Sequence, residues 1–226
     1  PEISTIQYDA LLDNAANAPS SYNNYSLTFN GSNNCYMSIG NSNEINTGNN
    51  HTQKTIEAWF KVSNIGANKQ VIYEQGGTVR GLNIYVHQGA LYVGGWNEPG
   101  GESGWQGTWL SSNQITSNKW HHVALTLEGG SQKQDNAFKG YLDGQLFGSG
   151  IGSKLWSHPG DVCVGRSGST KFHTGDDGGK RYFIGSIDEV RLWNTVRTQQ
   201  QISSKMDTIL LGNEYGLSAY YELQQN

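Results

Sequence analysis

The sequence predicts an all-β protein, an antiparallel two-sheet β-sandwich with one short helix near the C-terminus. Three observations predict it. Short apolar-alternating runs recur along the chain, divided by Gly- and Asn-rich turns. A content of 30 glycines and 11% aromatic residues in 226 suits strands and tight turns. Two hairpin turns, His87-Gln-Gly89 and Asp143-Gly144, stand between such runs. At this length one domain is expected.

Residues 1–24 read as a lead-in segment packing on the domain, and residues 25–226 as the domain itself. The first firm strand, Tyr25 to Phe29, ends at the turn pair Asn30-Gly31. Cys35 to Ile39 alternates as a half-buried strand, and Gly40 to Thr52 is a long polar loop. Thr55 to Val62 sets Ile56, Ala58 and Phe60 on one face and Glu57, Trp59 and Lys61 on the other. Val71 to Glu74, Leu82 to His87 and Ala90 to Gly94 follow as short strands. Trp96 to Leu110, Gly-rich with three Trp, reads as a loop. Trp120 to Glu128 alternates again. Lys139 to Leu142 and Gln145 to Phe147 flank the Asp143-Gly144 turn, and Asp161 to Gly165 is a strand. Arg166 to Arg181 is a second Gly-rich polar loop.

Ile187 to Trp193 is the organising strand. If it is regular, Ile187, Glu189, Arg191 and Trp193 point one way and Asp188, Val190 and Leu192 the other. Asp188 then heads an apolar face, where a carboxylate needs a cation, backbone N–H groups or an Arg. Thr198-Gln-Gln-Gln201 fits a capping box, with Ile202 and Met206 following at helical spacing. Leu217 to Leu223 is the last strand.

Gly185-Ser-Ile-Asp-Glu-Val-Arg-Leu-Trp-Asn194 followed by Gln201-Ile202 resembles the closing signature of laminin G-like domains of the concanavalin A-like superfamily; pentraxins carry a looser version. Leu27-Thr-Phe-Asn-Gly31, Thr55-Ile-Glu-Ala-Trp-Phe-Lys61, and Lys119-Trp-His-His-Val-Ala-Leu125 with Gly140-Tyr-Leu-Asp-Gly144 match in the expected order. The resemblance covers roughly residues 25 to 205 and implies a jelly roll whose edge loops carry a binding site. It also implies a structural calcium joining Asp188 to Asn30, and it makes a longer, multidomain parent protein an expectation.

The net charge of −4 and the absence of a basic run argue against nucleic-acid binding. No apolar stretch has the length of a membrane span. Richness in Asn, Ser, Gly and Thr suits an extracellular, secreted protein. Cys35 and Cys163 are read as two separate buried thiols, with a bridge left open.

Trp59, Trp120 and Trp193 fall where the family places aromatic packing residues. Trp96, Trp105 and Trp109 lie in or beside a Gly-rich loop, where an indole face could stack on a sugar ring. They form the expected carbohydrate platform. Tyr73, Arg80, Tyr85, Arg166, His173 and Asp176 are the expected rim contacts, from neighbouring strands and loops. No acid–nucleophile run of the laminarinase type occurs, since adjacent acids such as Asp188 and Glu189 point to opposite faces of a regular strand. Glu57 with Glu74 remains a conceivable cross-strand pair. The function expected is therefore non-catalytic glycan or polysaccharide binding. The alternatives are a protein-binding adhesion module of the laminin G type and an unrecognised hydrolase or lyase.

Overall fold

The computed structural model describes residues 3–6, 11–14, 25–98, 104–175 and 179–223. In chain order the strands begin with β1 (Ile3–Ile6), β2 (Leu11–Asn14), β3 (Tyr25–Asn30) and β4 (Met37–Ile39). A π-helical turn, Asn43–Thr47, leads to β5 (Gln53–Val62), β6 (Gln70–Gly76), β7 (Arg80–His87) and β8 (Ala90–Asn97). Then come β9 (Trp105–Ser112), β10 (Trp120–Glu128), β11 (Gln134–Leu142) and β12 (Gln145–Gly152). The chain closes with β13 (Asp161–Val164), β14 (Ile184–Trp193), helix α1 (Gln199–Lys205) and β15 (Leu217–Tyr221).

Two antiparallel sheets face each other, as the alternation predicts. The first has the order β1-β4-β13-β6-β7-β8-β9; the second runs β12-β11-β10-β5-β14-β3-β2, with β15 beside β14. The lead-in supplies one edge strand to each sheet, β1 against β4 and β2 against β3. Between the sheets, Phe29, Ile56, Phe60, Ile84, Val93 and Leu125 belong to one continuous buried core. Both hairpin turns carry the left-handed pairs their sequences suggest. Gln88 has φ 45° and Gly89 90°, and Asp143 has 50° and Gly144 75°. The capping box is formed as well: Thr198 and Gln201 exchange side-chain to backbone hydrogen bonds at the start of α1.

Two expectations fail locally. The described residues of the Trp96 to Leu110 stretch are mostly strand, ending β8 and forming most of β9, with Trp109 paired to Gly94. The glycines around Trp109 make room for its ring: a Cβ on Gly94 of the paired strand would meet it at 2.5 Å and one on Gly107 at 2.4 Å, while Gly104, at φ 56°, has open space around it. Nor is β14 regular. Glu189 takes φ 51°, and the pairing to β5 shifts between Asp188 and Arg191. This bulge returns Val190 and Leu192 to the core face with Ile187. Asp188 therefore stands on the outer face opposite Trp59, not on the apolar face a regular strand would give it.

The outer face of the second sheet is closed by α1 and the segment leading to β15. Trp59 Nε1 donates to the Met206 carbonyl at 2.9 Å. The Arg191 side chain is 1% exposed. It donates to the carbonyls of Lys205 (2.9 Å) and Thr208 (2.7 Å) and pairs with Glu189 at 2.6 Å. Glu57, fully buried, lies 3.2 Å from Arg197 Nε and 3.4 Å from His122 Nε2. These partners hold its carboxyl below the usual range against the opposing effect of burial. Cys35 and Cys163 are separate buried thiols.

Candidate functional site

The outer face of the first sheet is built differently. Its strands present Glu74 from β6, Asn83 and Tyr85 from β7, Tyr92 and Trp96 from β8, and Trp109 from β9. The loop between β13 and β14 folds over this face on its own short ladder. Ser167 N–H donates to the Arg181 carbonyl at 2.8 Å, and Phe172 bridges to Gly175. Three contacts fasten it. Asn83 Nδ2 donates to Thr170 Oγ1 (3.0 Å) and to the Lys171 carbonyl (2.9 Å). The Gly168 N–H donates to Glu74 Oε1 at 3.0 Å. Phe172 buries its ring against Val71 and Tyr85.

The covering is incomplete, and aromatic surface remains at its edge. Tyr92 is half-buried and lies parallel to Tyr85, with centroids 5.0 Å apart. The exposed imidazole of His173 stacks on Tyr92 at 4.3 Å and 7°. Its Nδ1 is 2.7 Å from the Tyr85 hydroxyl. Burial lowers the His173 pKa, with His87 and Lys69 nearby adding to the effect, so the ring is neutral at pH 7. One strand away, Trp109 is half-buried and stacks on the buried Trp96 at 6.2 Å and 16°. Lys171 sits over the Trp109 ring and pairs with Glu98. Ser111 stands exposed beside Tyr92 in the β8–β9 register.

The expected site residues fall into three groups. Trp109, Tyr85 and His173 come together on this face. Trp96 shares it but is wholly buried, its Nε1 donating to the Gly77 carbonyl at 2.9 Å, so it supports Trp109 and offers no free ring of its own. Arg80 and Arg166 stand toward the far end of the face. Arg80 lies over the Trp156 ring and lines a cavity of about 750 Å³ together with Asp161 and Lys180. Arg166 is buried, 3.6 Å above the Tyr36 ring centroid and 3.3 Å from Asp161. Trp105 and Tyr73 point the other way, into the inter-sheet core. Trp105 packs against Phe138, and the Tyr73 hydroxyl donates to Gln75. Neither has a face to give a ligand, because the pleat turns both inward. Asp176 lies outside the described residues.

Tyr92 is the residue that sequence reasoning missed. The signal was present: in the Ala90 to Gly94 run, Leu91 and Val93 alternate with Tyr92, which must therefore face away from the core.

Asn30 and Asp188 do not meet. Asn30 pairs with Ile184, four residues along β14, and its Oδ1 accepts from the Ser32 N–H at 2.9 Å. Asp188 Oδ1 accepts from the Glu189 (2.8 Å) and Leu223 (3.3 Å) N–H groups, while Oδ2 has no partner among the described residues. Burial, with Glu189 nearby, pushes the Asp188 pKa up to about 7. Among the described residues no three His, Cys, Asp or Glu side chains group as metal ligands. The expected pair does not fit calcium; Asp188 alone offers a free oxygen. Glu57 and Glu74 lie on opposite outer faces of the sandwich, which rules them out as an acid pair.

Comparison with known proteins follows the same lines. A family model described as the concanavalin A-like lectin/glucanases superfamily, of laminin G type, matches residues 32–203. No curated protein has a significantly similar sequence. Among solved structures, a Bacteroides ovatus protein described as carbohydrate-binding superposes with a TM-score of 0.60 at 23% identity. The superposition covers 89% of this chain and 56% of that one. Domain 4 of the extracellular arabinanase AbnA from Geobacillus stearothermophilus, solved with arabinotriose, gives 0.58 at 13% identity, covering 86% and 80%. The binding domain of botulinum neurotoxin serotype G gives 0.59 at 13%, covering 88% and 45%. The chain thus spans about half the length of the first and third of these. Such likenesses speak for the fold. No helix among the described residues is long and apolar enough to cross a membrane.

Proposed function

This chain belongs to the concanavalin A-like lectin/glucanases superfamily, and we propose that within it the chain is a carbohydrate-binding module that does not turn its ligand over. One observation carries the reading. Trp109 and Tyr92, both half-buried, and the exposed His173 lie together at the uncovered edge of the outer face of the first sheet. A pyranose or furanose lays its C–H face on such rings, and Ser111, Lys171 and Glu98 stand at the edge for its hydroxyls. A neutral His173 suits an uncharged sugar. The solved neighbours described as carbohydrate-binding or holding arabinotriose support the same reading.

The non-catalytic part rests on the acids. Glu57 is locked by Arg197 and His122 on the opposite sheet, and Glu74 is fully buried beneath Gly168. Neither is placed as one of two carboxylates flanking a glycosidic bond. We further propose that the module works outside the cell, joined to other domains, where avidity compensates for weak single-site stacking. Of the expected calcium ligands only Asp188, with its Oδ2 unpartnered among the described residues, could contribute to a site, and the ion would need several further oxygens.

The test is a glycan and polysaccharide binding screen, run with calcium and with EDTA, beside a Trp109→Ala, His173→Ala double variant. Binding that free sugar competes away, and that falls about tenfold or more in the variant, is expected. A stably folded chain that binds no glycan would remove the reading in favour of a protein-adhesion module. A drop in melting temperature with EDTA is expected if Asp188 holds calcium; an unchanged one removes the ion.

A further inference from the structure

A second concavity lies away from the aromatic face, at the end of the sandwich where β5 begins and β14 ends. It is a groove of about 790 Å³ between the loop from Asn43 to Gln53 and the segment carrying Asn194, Thr195 and Tyr215. Its lining is dense in amides: Asn43, Asn49, Asn50, Gln53 and Asn194. An amide offers a donor and an acceptor side by side, the pattern that matches a sugar hydroxyl. Among the described residues Glu44 is the single acid of the lining, and its Oε2 accepts from Asn194 Nδ2 at 3.3 Å across the groove. His51, the titratable base among its described lining residues, is neutral, because burial and the nearby Lys54 push its pKa down to about 4. Among the described residues the groove therefore presents no cation to an acidic ligand. Nor does it present the apolar centre that a protein hot spot needs.

The wall is braced from below. Lys54 is only 3% exposed, and its Nζ donates to the carbonyls of Glu44 (2.6 Å) and Ile45 (2.8 Å). Asn46, wholly buried, donates to Asn41 Oδ1 (2.6 Å) and accepts from the Ser42 N–H (3.2 Å). Two buried polar side chains thus hold the π-helical turn in one shape, and such turns recur at functional sites. Asn50 Oδ1 accepts from the Ser157 N–H at 3.3 Å, which orients its amide. Tyr215 lies at the mouth with 93% of its surface exposed. A ring so placed is free to stack on a sugar held in the groove.

We propose that this groove is a second saccharide site, taking a neutral, hydroxyl-rich sugar that stacks on Tyr215 and hydrogen-bonds Glu44, Asn50 and Asn194. It shares no residue with the aromatic face, so the two sites stand or fall separately. Together they would let one polysaccharide chain hold the module twice.

The experiment is two-dimensional amide NMR of the labelled chain, titrated with arabinotriose, cellotriose and laminaritriose. At least one probe is expected to shift the Asn50 and Asn194 side-chain amides and the Tyr215 backbone. Those shifts should persist in Trp109→Ala, weaken about tenfold in Tyr215→Ala, and survive in Tyr215→Phe. Tyr215 and Asn194 are exposed, so Tyr215→Ala and Asn194→Ala should melt with the parent chain. No groove shifts with any of the three probes at millimolar concentration would overturn the proposal. So would binding there that Tyr215→Ala and Asn194→Ala leave untouched.

Discussion

The two outer faces of this sandwich each bury a carboxylate under a covering segment, and they treat it in opposite ways. On the second sheet, Glu57 meets Arg197 and His122, and its pKa is held down. On the first sheet, Glu74 receives the Gly168 N–H and is pushed up to about 8, chiefly by burial. A charge network that sets Glu57 against Arg197 and His122, and Glu189 against Arg191, seals one face. A face roofed by one loop over aromatic rings stays open at its edge. The buried ions of the second sheet are architecture; the unsealed face of the first is where recognition can happen.

The largest expected effect tests the sealed side. Arg191→Met removes the group that binds Glu189 and the carbonyls ending α1. It leaves Glu189 buried with the Tyr220 hydroxyl. A loss of about 3–5 kcal/mol is expected, as for other broken buried pairs, read from urea denaturation. A loss below about 1 kcal/mol would mean that the network seals nothing.

The sharper test sets the two carboxylates against each other. Glu57 has a folded pKa below its ordinary value. Its contribution is therefore present above pH 4.5 and lost as pH falls through the folded pKa. Glu74 has a folded pKa raised from 4.5 to about 8. Between those values the native state keeps a proton that the unfolded chain releases, so stability falls as pH rises through the window. Glu74→Gln should then gain about 1–3 kcal/mol at pH 9 and little at pH 5. Glu57→Gln should lose about 2–3 kcal/mol at pH 7 and less at pH 3. Denaturation midpoints across this pH range read both, and equal signs at pH 9 would erase the contrast drawn here.

The smallest stability effect belongs to the open side. Trp109→Ala removes a half-buried ring lying on Trp96. About 1–2 kcal/mol is expected, below the roughly 3–5 kcal/mol typical of emptying a buried Trp site. A loss in the larger range would show that Trp109 is core and not platform.

The sequence by itself determined the local grammar. Alternation set the strands, Asp143-Gly144 and Gln88-Gly89 set their turns, and Thr198 with Gln201 set the helix start, because each depends on neighbours along the chain. That grammar also covers Tyr92, whose outward direction follows from Leu91 and Val93 beside it. Tertiary structure decided the rest. The bulge at Glu189 moved Asp188 across the sheet, and no spacing rule marks it, since Glu is not the residue that a left-handed position favours. Trp105 and Trp109 look alike in sequence, yet pairing with β8 sends one into the core and the other to the surface. Asn30 and Asp188 are both hallmarks of the resemblance, but register alone separates them. The groove at Tyr215 gathers side chains more than 140 positions apart, and only a folded chain brings them to one place.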